Sequence, residues 1–472
     1  MRKKWGNRIG AIVLACALTM NGLPVQSISA STQKAYAAAK SETGKQDVSQ
    51  PETKMGNVVL DGNDIAVNNV NGLTYKGFGM LSGNSTSDLL MDYKAEQPKA
   101  YAELMQYLFG GNYPIMNHVK LEMGNDRNTS TGPESCTKRT EKEKANVLRN
   151  PGWQLAADAR KINPKIKVSI LRWEAPVWAG TDEKIYQWYK ETILDAYEKY
   201  GYMVDYINPN INEKWDVDSD VAFTKKFAKW IAAETKETIP DEKALALYHK
   251  IKLVVSDEAG TASDSVVESM KSDSDFYNSV DVVGYHYSPW DDSNGGMKWL
   301  AQTKDKEVWN SEAQATFSNS AFRPANNVKD PTTEGTGLGG TGSALEMANT
   351  FIKGFVQSRR SHVIYQPAIG SFYEGAQFSF KELVSARDPW SGWIHYDAGL
   401  LMLAHISKFA VTGWENEDNT AGIWRAVPQA SKCTADGTNP VNGRNGGENY
   451  MTLASPAKDN FSTMIVNDSE YP

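Results

Sequence analysis

Two glutamates have the type and surroundings that bond-breaking chemistry needs. Asn212-Glu213 closes the segment Tyr206-Ile207-Asn208-Pro209-Asn210-Ile211, and Glu312 closes Val308-Trp309-Asn310-Ser311. Each follows a short β-rich run, so each is expected at the carboxyl end of a strand. Two carboxyl groups flanking a glycosidic bond can supply one proton donor and one nucleophile. A gap of ~5–5.5 Å gives retention through a glycosyl-enzyme intermediate, and a wider one leaves room for water and gives inversion. Asn212 can bond a sugar 2-hydroxyl, and Trp173, Trp178 and Trp215 offer flat faces for a sugar ring.

The plain alternative for any acidic residue is a solvated loop position or an ion-pair partner, which is the right reading for most of the 57 present. Glu258, in Ser256-Asp257-Glu258, is the main competitor and is expected to hydrogen-bond at the rim. Glu122 and Asp126 are expected to line the pocket. His286 and Tyr287 end another strand beside Glu312, where they can contact substrate and keep Glu312 ionised; a core histidine and a packing tyrosine are the alternative. For an acid–nucleophile pair the pKa of Glu213 must exceed that of Glu312, which partial burial and a neighbouring carboxylate would cause.

Other chemistries are poorly supported. Gly335-Thr-Gly337-Leu-Gly339-Gly340 contains G-x-G-x-x-G but does not follow a strand. Asp216-x-Asp218-x-Asp220 imitates a calcium loop, yet its sixth and twelfth positions are Val221 and Phe227. There is no Walker A sequence, H-E-x-x-H or G-x-S-x-G, and the six histidines lack metal-ligand spacing. No metal or organic cofactor is expected. A net charge of −7 over 472 residues argues against nucleic acid as a partner.

Strands are expected over 75–82, 115–122, 166–173, 203–208, 251–256, 280–286, 307–311 and 362–369. Helical patterns lie at 98–109, 184–200, 222–237, 263–277, 343–357 and 394–411. Eight strands alternating with helices over residues 75–412 predict an α/β fold, a TIM (β/α)8 barrel, with an open doubly wound sheet as the alternative. Residues 413–472 predict short strands of a small β-sandwich, whose completeness the sequence leaves open, joined by strands within 56–74. Residues 31–55 read as a flexible linker. Arg2, Lys3, Lys4 and Arg8, followed by twelve apolar-rich residues and then small ones, predict a secretory signal over 1–30 and an extracellular protein with no transmembrane segment. Cys136 and Cys433 suit two free thiols better than one bridge. The oligomeric state is open.

Taken in order, several segments resemble glycoside hydrolase family 59, the galactocerebrosidase (galactosylceramidase) family of the Asn-Glu barrel clan. They are Gly77-Phe-Gly79, Leu121-Glu-Met-Gly124, Arg172-Trp173 with Pro176-Val-Trp178, Asn212-Glu213, Val254-Val-Ser-Asp257, Asp281-Val-Val-Gly284-Tyr-His286-Tyr, Trp309-Asn-Ser-Glu312 and Asp388-Pro-Trp-Ser-Gly392. The resemblance implies a retaining β-galactosidase acting on a glycolipid or glycan; the alternatives are a retaining β-glycosidase for another sugar and a catalytically silent, secreted carbohydrate-binding protein. It makes Glu213 the acid/base, Glu312 the nucleophile, and Ser130, Trp173 and Asn212 contacts to galactose. Ser130 stands where the family has Thr. The family's galactose-contacting Trp after the eighth strand corresponds to Gln366, and a nearby Tyr to Phe378. The family's downstream arginine and lectin-like domain would fall beyond Pro472.

Overall fold

The computed structural model describes residues 58–61, 74–83, 86–127, 134–259, 261–287, 296–313, 344–356, 359–366, 368–370, 383–410, 425–433, 449–454 and 461–466. Eight parallel strands close into a barrel in the order of the chain: β1 (Phe78–Ser82), β2 (His118–Glu122), β3 (Lys167–Arg172), β4 (Tyr206–Ile211), β5 (Lys252–Glu258), β6 (Val282–His286), β7 (Glu307–Ala313) and β8 (Arg360–Tyr365), the last pairing with β1. The open-sheet alternative is thereby excluded.

The helices after the strands are α1 (Thr86–Glu96), α2 (Pro98–Phe109), α3 (Pro151–Ile162), α4 (Asp182–Tyr200), α5 (Val217–Ala233), α6 (Glu242–Tyr248), α7 (Thr261–Ser272), α8 (Ser274–Ser279), α9 (Gly296–Thr303), α10 (Ala344–Val356) and α11 (Ala398–Ala410). α4 shows how sequence sets such an element. The Thr181 side chain accepts the Lys184 N–H, Asp182 and Glu183 fill the first turn, Lys199 sits in the last, and Gly201 stops the helix at φ +77°. The triple aspartate that imitates a calcium loop is likewise a cap: Asp216 accepts from the N–H groups of Asp218 and Ser219 and starts α5 immediately behind Glu213.

The single pattern over 263–277 divides into α7 and α8 because Asp273 caps a new start, accepting the Phe276 N–H. Residues expected to open one long helix at 394 instead form β11 (Trp393–Tyr396), which pairs with β10 (Val384–Asp388) and through it β9 (Ile369–Gly370). Residues 58–61 are exposed and outside any strand, so the strand expected at 58–60 does not form; three apolar residues before Asp61 are too few to bury a face. The one expected at 65–67 lies outside the described residues. Towards the end, β12 (Arg425–Ala426), β13 (Tyr450–Ala454) and β14 (Phe461–Ile465) form one antiparallel sheet. Buried Asn449 anchors it to α10, donating from Nδ2 to Asn349 Oδ1 at 2.6 Å. A second sandwich layer is not seen among the described residues.

The main core lies between barrel and helices, with Trp153, Trp188, Tyr189 and Phe227 among its fully buried side chains. Inside the barrel, Leu81, Leu171, Tyr206, Val254, Val282, Trp309 and Ile364 make a second cluster, with Trp173 resting on it. Cys136 and Cys433 are both free thiols; the Cys136 Sγ donates to Lys138 O at 3.0 Å, and burial pushes that thiol up to about 11. The Asp216→Ala variant should lose about 1 kcal/mol of stability through the lost cap. Urea unfolding would show a lower midpoint at unchanged slope; an unmoved midpoint would show that the cap contributes nothing.

Candidate active site

Strand ends bring the two glutamates together. Asn212 and Glu213 follow β4 directly, the Asn212 N–H donating to Arg172 O (2.9 Å) and the Glu213 N–H to Asp257 O (3.1 Å), which ties this turn to β3 and β5. Glu312 lies within β7, in register with His286 of β6. Tyr287 donates twice to Glu312, from its N–H to the carbonyl at 2.8 Å and from its hydroxyl to Oε1 at 2.6 Å. One carboxylate oxygen from each glutamate and one ring nitrogen of His286 all lie within 4.8 Å of one another.

Local strain gathers at this end of the barrel. Glu213 (φ +56°), Ser256 (+75°), Asp257 (+47°) and Tyr287 (+61°) all occupy the left-handed region, at the ends of β4, β5 and β6. Each costs on the order of 1–3 kcal/mol and persists where surrounding contacts over-determine it. The tie from the Glu213 N–H to Asp257 and the double donation from Tyr287 are such contacts.

Behind the glutamates runs a buried chain of charges. Lys120 Nζ sits 3.1 Å from Asp257 Oδ1 and donates to Ser311 O at 3.2 Å. Asp257 Oδ2 accepts from Asn208 Nδ2 at 2.8 Å, and its Oδ1 lies 3.2 Å from His286 Nε2. His286 Nδ1 is 3.0 Å from Glu213 Oε1 and 3.8 Å from Glu312 Oε2. A ring with carboxylates at both nitrogens is an imidazolium that donates twice. Burial alone would lower its pKa, but the charges of Glu312, Asp257 and Glu213 lift it to about 9. Both nitrogens are thus committed to protons, which suits proton sharing better than metal coordination. Gly284 makes the chain sterically possible: a Cβ there would meet Asp257 Oδ1 at 2.6 Å and Ser311 Oγ at 2.3 Å.

The same chain corrects an expectation about Glu213. Burial does raise its pKa, yet the hydrogen bond and charge of His286 outweigh burial and hold the carboxyl below its ordinary value. Asp257 is held far lower, Lys120 and His286 together overcoming complete burial. Glu258 goes the other way: burial pushes it up to about 7 while it accepts the Trp215 N–H at 2.6 Å.

Asn212 is fully buried, and among the described residues neither its Oδ1 nor its Nδ2 has a hydrogen-bond partner; the Glu312 Oε2 is likewise without a hydrogen bond. Trp173 is half-buried above the barrel interior. Trp178 and Trp215 are not free stacking faces: Trp178 donates to Lys138 O at 2.9 Å beneath the Lys138 ammonium, and Trp215 packs on Phe276 at 5.9 Å. Asp126 is held by Arg139, which donates to both of its oxygens at 2.7 and 2.8 Å. Glu122 is buried at the end of β2 beside Gly83, and Gln366 is buried just past β8 with its N–H on Ala313 O at 2.7 Å. Ser130 and Phe378 lie outside the described residues. Lys120 and Asp257 were missed as members of this chain; a lone lysine inside the strand His118-Val119-Lys120-Leu121-Glu122 is the signal that could have found the first.

Comparison with known proteins places the chain in a family. The family described as glycosyl hydrolase family 59 matches residues 75–408. A galactocerebrosidase of Danio rerio is 25% identical over 357 residues, covering 73% of this chain and 46% of that protein. The Homo sapiens galactocerebrosidase is 27% identical over 350 residues, covering 73% and 44%. The chain therefore spans under half the length of these curated relatives. In fold it is similar to SrfJ of Salmonella typhimurium (TM-score 0.57, 14% identity, covering 84% of this chain and 83% of that one). It is also similar to the catalytic domain of a xylanase C from Talaromyces cellulolyticus (TM-score 0.52, 12% identity, 81% and 85%).

Since the folded pKa of His286, about 9, lies above its ordinary 6.5, its contribution to stability is complete below about 6.5 and is lost as pH rises through about 9. The groups facing it are Asp257, Glu213, Glu312 and Tyr287, with Lys120 behind Asp257. Thermal midpoints measured from pH 6 to 9.5 should fall with rising pH, and His286→Gln should flatten that fall. Parallel profiles for the two proteins would refute the charged ring.

Proposed function

Because the chain belongs to glycosyl hydrolase family 59, we propose that it is a retaining glycosidase of the galactocerebrosidase type, exported from the cell and acting on terminal β-galactosides. The observation that carries the reading is the approach of one carboxylate oxygen of Glu213 and one of Glu312 to within 4.8 Å, on the scale of a double displacement. The names of the curated relatives support galactose as the sugar. The basic and then apolar start of the chain supports export.

The chemistry follows from the hydrogen bonds. Tyr287 occupies Glu312 Oε1 and leaves Oε2 to attack the anomeric carbon. As that bond forms, the bond to the leaving oxygen breaks, and Glu213 gives this oxygen a proton. Glu213 is ionised in the free protein, so it must take that proton from solvent as the complex forms. Its side chain is 30% exposed, and a sugar that covers it removes the solvation favouring the anion. Water then attacks the glycosyl ester, with Glu213 taking back a proton and Glu312 leaving. Asn212, buried with both polar atoms unpartnered, suits the sugar 2-hydroxyl, and Trp173 suits its apolar face. Ser130 is proposed as a further contact.

The Glu312→Gln variant should retain its fold and lose about 10³-fold or more in kcat on an aryl β-galactoside. Proton NMR of wild-type turnover should show the β-anomer of galactose first. An α-anomer would establish inversion, and undiminished turnover by the variant would remove Glu312 from the nucleophile role.

A further inference from the structure

A second concavity lies at the opposite end of the barrel. Lys76 precedes β1, Lys167 starts β3, Asp205 precedes β4, Lys252 starts β5 and Glu307 starts β7, so the amino-terminal strand ends line it; its volume is about 700 Å³. That is within the roughly 300–1,000 Å³ of small-molecule sites. None of the residues assigned above to sugar chemistry lines it.

Its charge is opposite to that of the molecule. The chain carries a net charge of −7, yet six basic side chains line this cavity, Lys76, Arg160, Lys167, Lys243, Lys250 and Lys252, against two carboxylates. Both carboxylates are already held: Glu307 by Lys76 at 2.5 Å, and Asp205 by Lys167 at 3.2 Å and Arg160 at 3.5 Å. Among the described residues, Lys243, Lys250 and Lys252 have no carboxylate within ion-pair distance.

The floor adds shape without charge. His118 stacks between Tyr206 (5.8 Å) and His362 (5.0 Å), with Trp309 edge-on at 5.4 Å. The rings of this floor are buried, and the two histidines share a hydrogen bond at 3.0 Å between Nδ1 of His118 and Nε2 of His362, which requires one of those nitrogens to lack a proton. A flat, largely uncharged floor under a cationic rim fits a compact organic molecule whose charge is concentrated in tetrahedral oxyanions.

We propose that this cavity is a second ligand site, independent of the glutamate pair, that takes a small polyanion bearing phosphate or sulfate groups. The three unpaired lysines supply most of its attraction, and the paired Lys76, Lys167 and Arg160 fix the walls. The site works whether or not the sugar chemistry proposed above is right.

Calorimetric titration of the full chain at low ionic strength tests the site, with inorganic pyrophosphate and a sulfated disaccharide as probes. Saturable one-to-one binding of at least one probe is expected, the tighter probe naming the ester class. The Lys243→Gln/Lys250→Gln/Lys252→Gln variant should keep the wild-type melting profile and bind about tenfold or more weakly, about 1.4 kcal/mol. A control carrying Lys99→Gln, Lys142→Gln and Lys144→Gln, exposed lysines away from the cavity, should bind as the wild type does. Failure of both probes to bind at millimolar concentration overturns the proposal. So does equal weakening in the two triple variants, which would mark general surface attraction, or wild-type affinity in the cavity variant.

Discussion

A single buried imidazolium organises the carboxyl end of this barrel. His286 has no exposed surface, and a charge so placed survives only with partners on every side. Asp257 supplies one, the two glutamates supply the others, and Lys120 compensates Asp257 from below. With His286 protonated, two positive and three negative groups leave the cluster one negative charge. The arrangement also explains why Glu213, although largely removed from water, is ionised before substrate arrives.

The fold converts this requirement into geometry. Barrel closure puts β4 and β7 across from each other, and β6, adjacent to β7, delivers the ring that bridges them. The positive φ angles at Glu213, Asp257 and Tyr287 show the backbone turned out of its relaxed form where these side chains are aimed. Gly284 keeps the space through which Asp257 reaches the ring. Stability and aim are therefore coupled: most residues holding the glutamates in place also neutralise one another in the barrel interior. The two ends of the barrel differ in charge, the glutamate cluster at the carboxyl end being acidic and the cavity at the amino end basic.

Much of this was legible from residue order. All eight barrel strands follow from apolar, β-branched runs, and with them the positions of Glu213 and Glu312 at carboxyl strand ends. Four helices, α1, α3, α6 and α9, escaped notice; in α1, Thr86–Glu96, the apolar residues show only weak helical periodicity. Trp178 and Trp215 were misread as sugar platforms because composition cannot show that local contacts already use their faces. Lys120 and Asp257 were passed over for a related reason: only the closed barrel brings β2 against β5 through its interior. The Glu213 pKa was expected to rise from burial and a neighbouring carboxylate, a sum that omitted a protonated histidine supplied by a third strand.

The protonation state of His286 is the quantity on which this account turns, and nitrogen-15 NMR of histidine-labelled protein reads it directly, with His286→Gln identifying the signal. The account predicts two protonated ring nitrogens at pH 7, with the imidazolium signature holding until about pH 9. A neutral ring at pH 7, with one nitrogen bare, would contradict it.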